Sequence, residues 1–237
     1  MAVTNKSADW IAAAWERQAT PGGFEARCRL VLPADDLTGA HVLDVGCRNG
    51  KGCFKLSDVV GAHGLVVGAD WEIGRLEKAR NGIAKALQRS GLAESNLAFE
   101  FAYPEALQTV VEKHGHFDYV FLNSVVNLSP APEQTLRQCH DALKPGGKLI
   151  LDTFAAPNVS RDAARAEGLK LGNAIQAAPS RQTLENWLEA AGFTSWAIEE
   201  GEPIHPSAGW DDAHPIPFCP SDPALEDIRF AFVVAVA

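Results

Sequence analysis

The sequence predicts an α/β fold: a doubly wound, seven-stranded mixed sheet whose last strand is antiparallel, with helices on both faces. Three observations carry this prediction. Between residues 41 and 154, short apolar runs alternate with longer segments of helical periodicity, the pattern of strands joined by helical crossovers. The run 117–122 shows almost no polar alternation, as a strand buried on both faces of a parallel sheet does. The last two apolar runs, 193–199 and 228–236, are separated by a proline-rich stretch instead of a helix, so they are expected to pair antiparallel at the sheet edge.

Trp10, Ile11 and Trp15 fall at helical spacing within 8–18, an amphipathic helix that Thr20-Pro21-Gly22-Gly23 stops. With a second short segment, 24–32, it makes residues 1–35 a helical cap before the main fold. The first strand is expected at 41–45, followed at once by glycines, and a helix over 51–60. A second strand at 64–69, a long helix at 72–90 and a third strand at 97–101 follow. Pro104 is expected to open a helix running to residue 114, because proline suits the first helical turn. After the strand 117–122, a helix over 132–143 ends at Lys144-Pro145-Gly146-Gly147, and 148–154 supplies the fifth strand. A helix at 182–191 precedes the final pair. Residues 201–224 hold prolines at 203, 206, 215, 217, 220 and 223, which suits either a substrate lid or a surface crossover.

A chain of 237 residues with ordinary apolar and charged fractions is expected to fold as one domain over 1–237. Its 30 acidic residues against 21 basic give a net charge of -9. That field disfavours phosphate backbones and anionic membranes, so neither a nucleic acid nor a membrane is an expected partner. No apolar run is long enough to span a bilayer, and the opening residues lack the regions of a secretory signal, which points to the cytoplasm. Cys28, Cys47, Cys53, Cys139 and Cys219 include no C-x-x-C pair, so reduced thiols are expected, with neither a disulfide framework nor a structural metal. No oligomeric state follows from the sequence.

Open α/β sheets bind ligands at the carboxyl ends of their strands where strand order reverses, which centres the site on the loop after the first strand. That loop reads Asp44-Val45-Gly46-Cys47-Arg48-Asn49-Gly50. Glycines there permit a sharp turn and let a ligand approach a helix start. The spacing is not the G-x-G-x-x-G of dinucleotide-binding proteins. The second strand ends in Asp70-Trp71. A carboxylate at that tip can accept both ribose hydroxyls of an adenosine, with Trp71 beside the base, while capping the next helix is the structural alternative.

On these residues, and on the Leu143-Lys144-Pro145-Gly146-Gly147 turn, the chain resembles the class I S-adenosylmethionine-dependent methyltransferases, a Rossmann-like family. Within that class it is most similar to the arsenite methyltransferases. The likeness lies in Leu56-Ser57, Val60-Gly61, His63-Gly64 and Val67-Gly68, and above all in Asn123-Ser124-Val125-Val126-Asn127-Leu128-Ser129-Pro130, within a match over about residues 24–200. The resemblance implies S-adenosylmethionine as cofactor. It also implies that Asp44, Gly46, Cys47, Arg48, Asn49 and Gly50 surround the methionine and ribose part, with Asp70 on the ribose. Trp71, Ala102 and Tyr103 are implied at the adenine, and Asn123 between the methionine part and the acceptor. Asn127 is implied to position the reacting groups, with helix capping as the alternative for it and for Ser129.

The arsenic-binding cysteines of that group are not all matched, and Cys47 alone does not make a multidentate soft-metal site. The expected acceptor is therefore a small molecule other than arsenite. Arg48 stands where the family pattern has glycine, so its guanidinium either meets a carboxylate or lies at the pocket mouth. A methyl transferase needs mainly orientation and exclusion of water, with a base only if the acceptor must lose a proton. His205, Asp211, Asp212 and His214 are candidates for that base, and Trp15, Tyr103, Trp196, Trp210 and Phe218 for an apolar wall. Two other readings stay open: an enzyme that cyclises the cofactor and releases methylthioadenosine, and a non-catalytic cofactor-binding module.

Overall fold

The computed structural model describes residues 5–18, 30–204 and 227–237. It opens with helix α1 (Asn5–Gln18) and then alternates β1 (His41–Val45), α2 (Lys51–Val60), β2 (Leu65–Asp70), α3 (Ile73–Ser90), β3 (Leu97–Phe101), α4 (Gln108–His114) and β4 (Phe117–Leu122). There follow α5 (Val125–Leu128), α6 (Pro132–Ala142), β5 (Leu143–Ala155), α7 (Asp162–Leu171), α8 (Arg181–Ala191), β6 (Ser195–Pro203) and β7 (Arg229–Val236). The strands form one seven-stranded sheet in the order β3-β2-β1-β4-β5-β7-β6. The first five pair in parallel, and β7 runs antiparallel to both β5 and β6, as expected for the final pair. It is β6, however, that takes the outer edge. No helix among the described residues is long and apolar enough to cross a membrane.

Strand alternation builds the two layers. Val42, Val66, Phe121 and Ile150 face one core, shared with Cys53 and Leu56 of α2 and Leu76 and Ala79 of α3. Their neighbours Leu43, Val67, Val120 and Leu149 face the other, with Leu136 and Cys139 of α6, Leu184 and Leu188 of α8, and Ile11 and Trp15 of α1. Helices therefore cover both faces, and the loops at the carboxyl ends of β1, β2 and β4 share one rim.

Four stretches depart from the sequence reading. The helix expected from Pro104 begins only at Gln108. Before it, the chain turns through an Ala106 N–H to Tyr103 carbonyl bond, and the Leu107 N–H is taken by the Gln138 side chain. The Leu143–Gly147 turn is not a break between helix and strand but the bulged start of β5. Leu143 already pairs with Phe117, the register then shifts, and Gly146 adopts φ 77° to accommodate the extra residues. Two helices, α5 and α7, lacked any clear periodic signal. The first is four residues long, too short for periodicity to show.

The segment 24–32 lies outside the described residues except for its last three positions, as does most of the proline-rich stretch. His205, Trp210, Asp211, Asp212, His214 and Phe218 are among those not described, and Gly201 to Pro203 belong to β6.

Candidate active site

The sheet reverses order at β1, between β2 on one side and β4 on the other. The loop leaving β1 is pinned to β2 by its own backbone. The N–H groups of Gly46 and Cys47 both donate to the Ala69 carbonyl, at 2.8 and 3.1 Å. The Arg48 N–H donates to Asp70 Oδ2 at 2.9 Å. Gly46 adopts φ 76°, and a Cβ built on it would lie 2.5 Å from Val125 Cγ2 at the β4 tip, so the loop passes where only glycine fits. Gly50, also at φ 76°, leads into α2, and its Cβ would lie 2.9 Å from the Phe99 ring. Arg48 sits at φ 54° in the left-handed region, a conformation that favours glycine. Arg48 and Asn49 are exposed, and Cys47 is buried.

Asp70 is fully buried, and each of its oxygens takes one backbone N–H: Arg48 on Oδ2, and Glu72 on Oδ1 at 2.9 Å. The second bond is an Asx-type turn just ahead of α3, whose N-cap is Glu72 without a side-chain bond, so the capping alternative raised for this residue is not realised. Asp44, one strand away, is 5% exposed and accepts the Cys53 thiol at 3.2 Å. Burial pushes the Asp44 carboxyl up to about 6, the thiol bond opposes this, and the Asp70 charge adds to it. Asp70 is likewise raised by burial, against the two N–H bonds that lower it. Neither acid makes an ion pair among the described residues.

At Cys47 a hydrogen bond with Cys53 lowers the thiol pKa, yet burial and the two carboxylates outweigh it and raise the value overall. Burial drives the Cys53 thiol well above its ordinary range. Both shifts favour the protonated thiol.

Trp71 is half-buried, and its ring centroid lies 4.2 Å from that of Trp15 on α1, tilted by 37°. The Ala102 N–H donates to the Asp70 carbonyl, and Tyr103 packs edge-on against Phe101. Trp196, offered as a wall residue, lies instead on β6 at the far edge of the sheet.

The tip of β4 is built differently. Asn123 is half-buried, its Oδ1 accepting the Asp152 N–H at 3.3 Å. Ser124 is the second non-glycine residue at φ 54°, so both strand tips at the switch point carry left-handed residues. Asn127 is wholly buried and its amide is committed. It donates to the carbonyls of Phe154 and Ala174 at 3.1 and 2.9 Å and accepts the Thr153 hydroxyl at 2.9 Å. In this structure its role is to tie the β4 tip to β5 and to the segment after α7. Ser129 Oγ accepts the Ala131 N–H ahead of α6, whose N-cap is Ala131 without a side-chain bond, so the helix capping raised as the alternative for Ser129 is not realised.

Sequence reading missed Arg161 and Glu105. Arg161 is buried and grips the carbonyls of Ala178 and Gln176. Glu105 is an acid 1% exposed, three residues beyond Ala102. Its place just past the third strand tip was the available signal.

These features suit a cationic nucleoside. The inner loop amides point back at Ala69 and Asp70, so they do not form a nest for a diphosphate, while two buried carboxylates stand on adjacent strand tips, with Arg48 and Arg75 near enough to offset part of the Asp70 charge. A family model described as a methyltransferase domain matches residues 36–192, most of the chain and all of the site. The chain belongs to the methyltransferase domain family. S-adenosylmethionine is the cofactor that goes with this class I methyltransferase fold.

Among its relatives, the arsenite methyltransferase of Aquipseudomonas alcaligenes is 34% identical over 177 residues, 75% of this chain and 50% of that protein. The tRNA U34 carboxymethyltransferase of Desulfotalea psychrophila is 32% identical over 75% of this chain and 52% of its own length. This methyltransferase domain thus spans about half the length of these relatives. An arsenic(III) S-adenosylmethionine methyltransferase from Chlamydomonas reinhardtii shares the fold at a TM-score of 0.71 and 23% identity, covering 95% of this chain and 72% of that one.

Proposed function

We propose that this methyltransferase domain transfers the methyl group of S-adenosylmethionine to a small molecule other than arsenite. The observation that carries the reading is the pair of buried carboxylates, Asp44 and Asp70, on adjacent strand tips without an ion-pair partner among the described residues. A sulfonium nucleoside brings the positive charge and hydroxyl donors that such a pair lacks.

When bound, the cofactor supplies a methyl group on positively charged sulfur together with its leaving group. The chain then has to bind, orient and exclude water. Each Asp70 oxygen keeps a lone pair for a ribose hydroxyl beyond the N–H it already accepts. Gly46, Asn49 and Gly50 shape the loop, Cys47 packs behind it, and Arg48 lies at its exposed edge. Trp71, Ala102 and Tyr103 border the base, and Asn123 faces the acceptor.

The state of the thiols supports an acceptor other than arsenite. Cys47 and Cys53 are buried free thiols whose pKa burial and the nearby carboxylates raise, whereas a soft metalloid asks for several thiolates. The net charge of -9 supports a small acceptor over a nucleic acid.

The test is to incubate the protein with S-adenosylmethionine and, in separate arms, a metabolite extract, arsenite or total RNA, and to identify the products by mass spectrometry. S-adenosylhomocysteine with a methylated metabolite is expected. Methylation of arsenite or RNA overturns the acceptor assignment. Methylthioadenosine as the nucleoside product replaces methyl transfer by cyclisation.

A further inference from the structure

Glu105 is a buried carboxylate that the scheme above leaves unused. Its two oxygens are divided between distant parts of the chain. Oε2 accepts the indole N–H of Trp15, on α1, at 3.0 Å. Oε1 accepts the hydroxyls of Ser129 and Thr135 at 2.6 and 3.2 Å, and those hydroxyls lie 2.8 Å apart. Ser129 closes α5 at the β4 tip, and Thr135 lies in the first turns of α6.

An apolar residue of similar size would fill this position without the cost of burying an acid. What the carboxylate adds is direction, because donors from three elements converge on it. Trp15 is only 4% exposed, and its ring stacks on Trp71, the residue after the fully buried Asp70. The same end of α1 is tied down by Gln18, whose Nε2 donates to the Leu128 carbonyl at 2.9 Å.

We propose that Glu105 is a positioning residue for the cofactor: by holding the Trp15 indole it sets α1 across Trp71 as the outer wall of the adenosyl site. The inference rests on the reading of Asp70 and Trp71 as the nucleoside end of the crevice. Through Ser129, the same carboxylate also anchors the β4 tip, so the wall over the base and the strand end facing the acceptor hang on one group.

Glu105→Leu keeps most of the volume but has no acceptor, so it serves neither Trp15 nor the Ser129–Thr135 pair. Trp15→Phe keeps a ring against Trp71 and removes the N–H. The probe is S-adenosylhomocysteine, with its dissociation rate followed by stopped-flow tryptophan fluorescence. Each variant is expected to release it about tenfold faster than the parent protein, the scale of a lost hydrogen bond to a charged group. The double variant is expected to be no faster than the quicker single one, because both changes remove the same bond.

Variants with a lowered melting temperature and the parental dissociation rate overturn the inference, as do strictly additive effects. Should Glu105→Leu fail to fold, Trp15→Phe decides by the same criterion. If the parent protein binds no S-adenosylhomocysteine, the cofactor reading itself fails. If the parent binds and the variants release at its rate, the positioning role alone fails.

Discussion

The two halves of the crevice spend their polar groups in opposite ways. Around β1 and β2, Asp44 and Asp70 are buried with hydrogen-bonding capacity left over, and neither has an ion-pair partner among the described residues. Around β4 and β5, the Thr153 hydroxyl donates to Asn127, and Asn127 and Arg161 donate to backbone carbonyls. The first half is arranged for a polar, positively charged ligand. The second is stitched into a scaffold.

Substitutions can break this contrast, and the largest effect is expected at the loop. Gly46→Ala places a methyl group on Val125 and a side chain in the left-handed region. It should cost about 3 kcal/mol or more in chemical denaturation and abolish tight cofactor binding.

Asp44 gives a pH signature of similar reach. Its folded pKa of about 6 stands above the ordinary carboxylate value of 3.8, so the folded state holds the proton more tightly. Stability should therefore fall as pH rises from 4 to 6, by up to about 3 kcal/mol. Denaturation of the ligand-free protein against Asp44→Asn across that window isolates this slope, which the variant should lack. Cofactor affinity should rise over the same window as the carboxylate ionises.

In the scaffold half, Asn127→Ala orphans two carbonyls and a hydroxyl. It should cost about 2 kcal/mol of stability while leaving cofactor affinity within about twofold. A large loss of affinity without loss of stability would erase the contrast. The smallest effect belongs to Arg48→Gly, which relieves a left-handed side chain and should stabilise the fold by about 0.5–1 kcal/mol.

The same contrast explains what the sequence made legible. The cofactor half is nearly contiguous: Asp44 to Gly50 and Asp70-Trp71 stand at strand ends that apolar periodicity locates, so their meeting follows from parallel order alone. The scaffold half joins residues 123–129, 152–154, 161 and 173–178, and nothing local announces that the Asn127 amide will bridge Phe154 and Ala174. Glu105 shows the same limit. A lone acid after Pro104 reads as the first turn of a helix, whereas the folded chain unwinds that turn to send the carboxylate to Trp15, 90 residues away. Arg48 was visible as an oddity, but its left-handed backbone emerged only from the fold.

The account stands on the Asp70 carboxylate as the group that grips the nucleoside. Isothermal titration of S-adenosylmethionine into the parent protein and into Asp70→Ala tests this most directly. A loss of affinity of about a hundredfold, as expected when a charged acceptor of two hydroxyl hydrogen bonds is removed, is the predicted result. Equal affinity of a folded Asp70→Ala protein and its parent would contradict it.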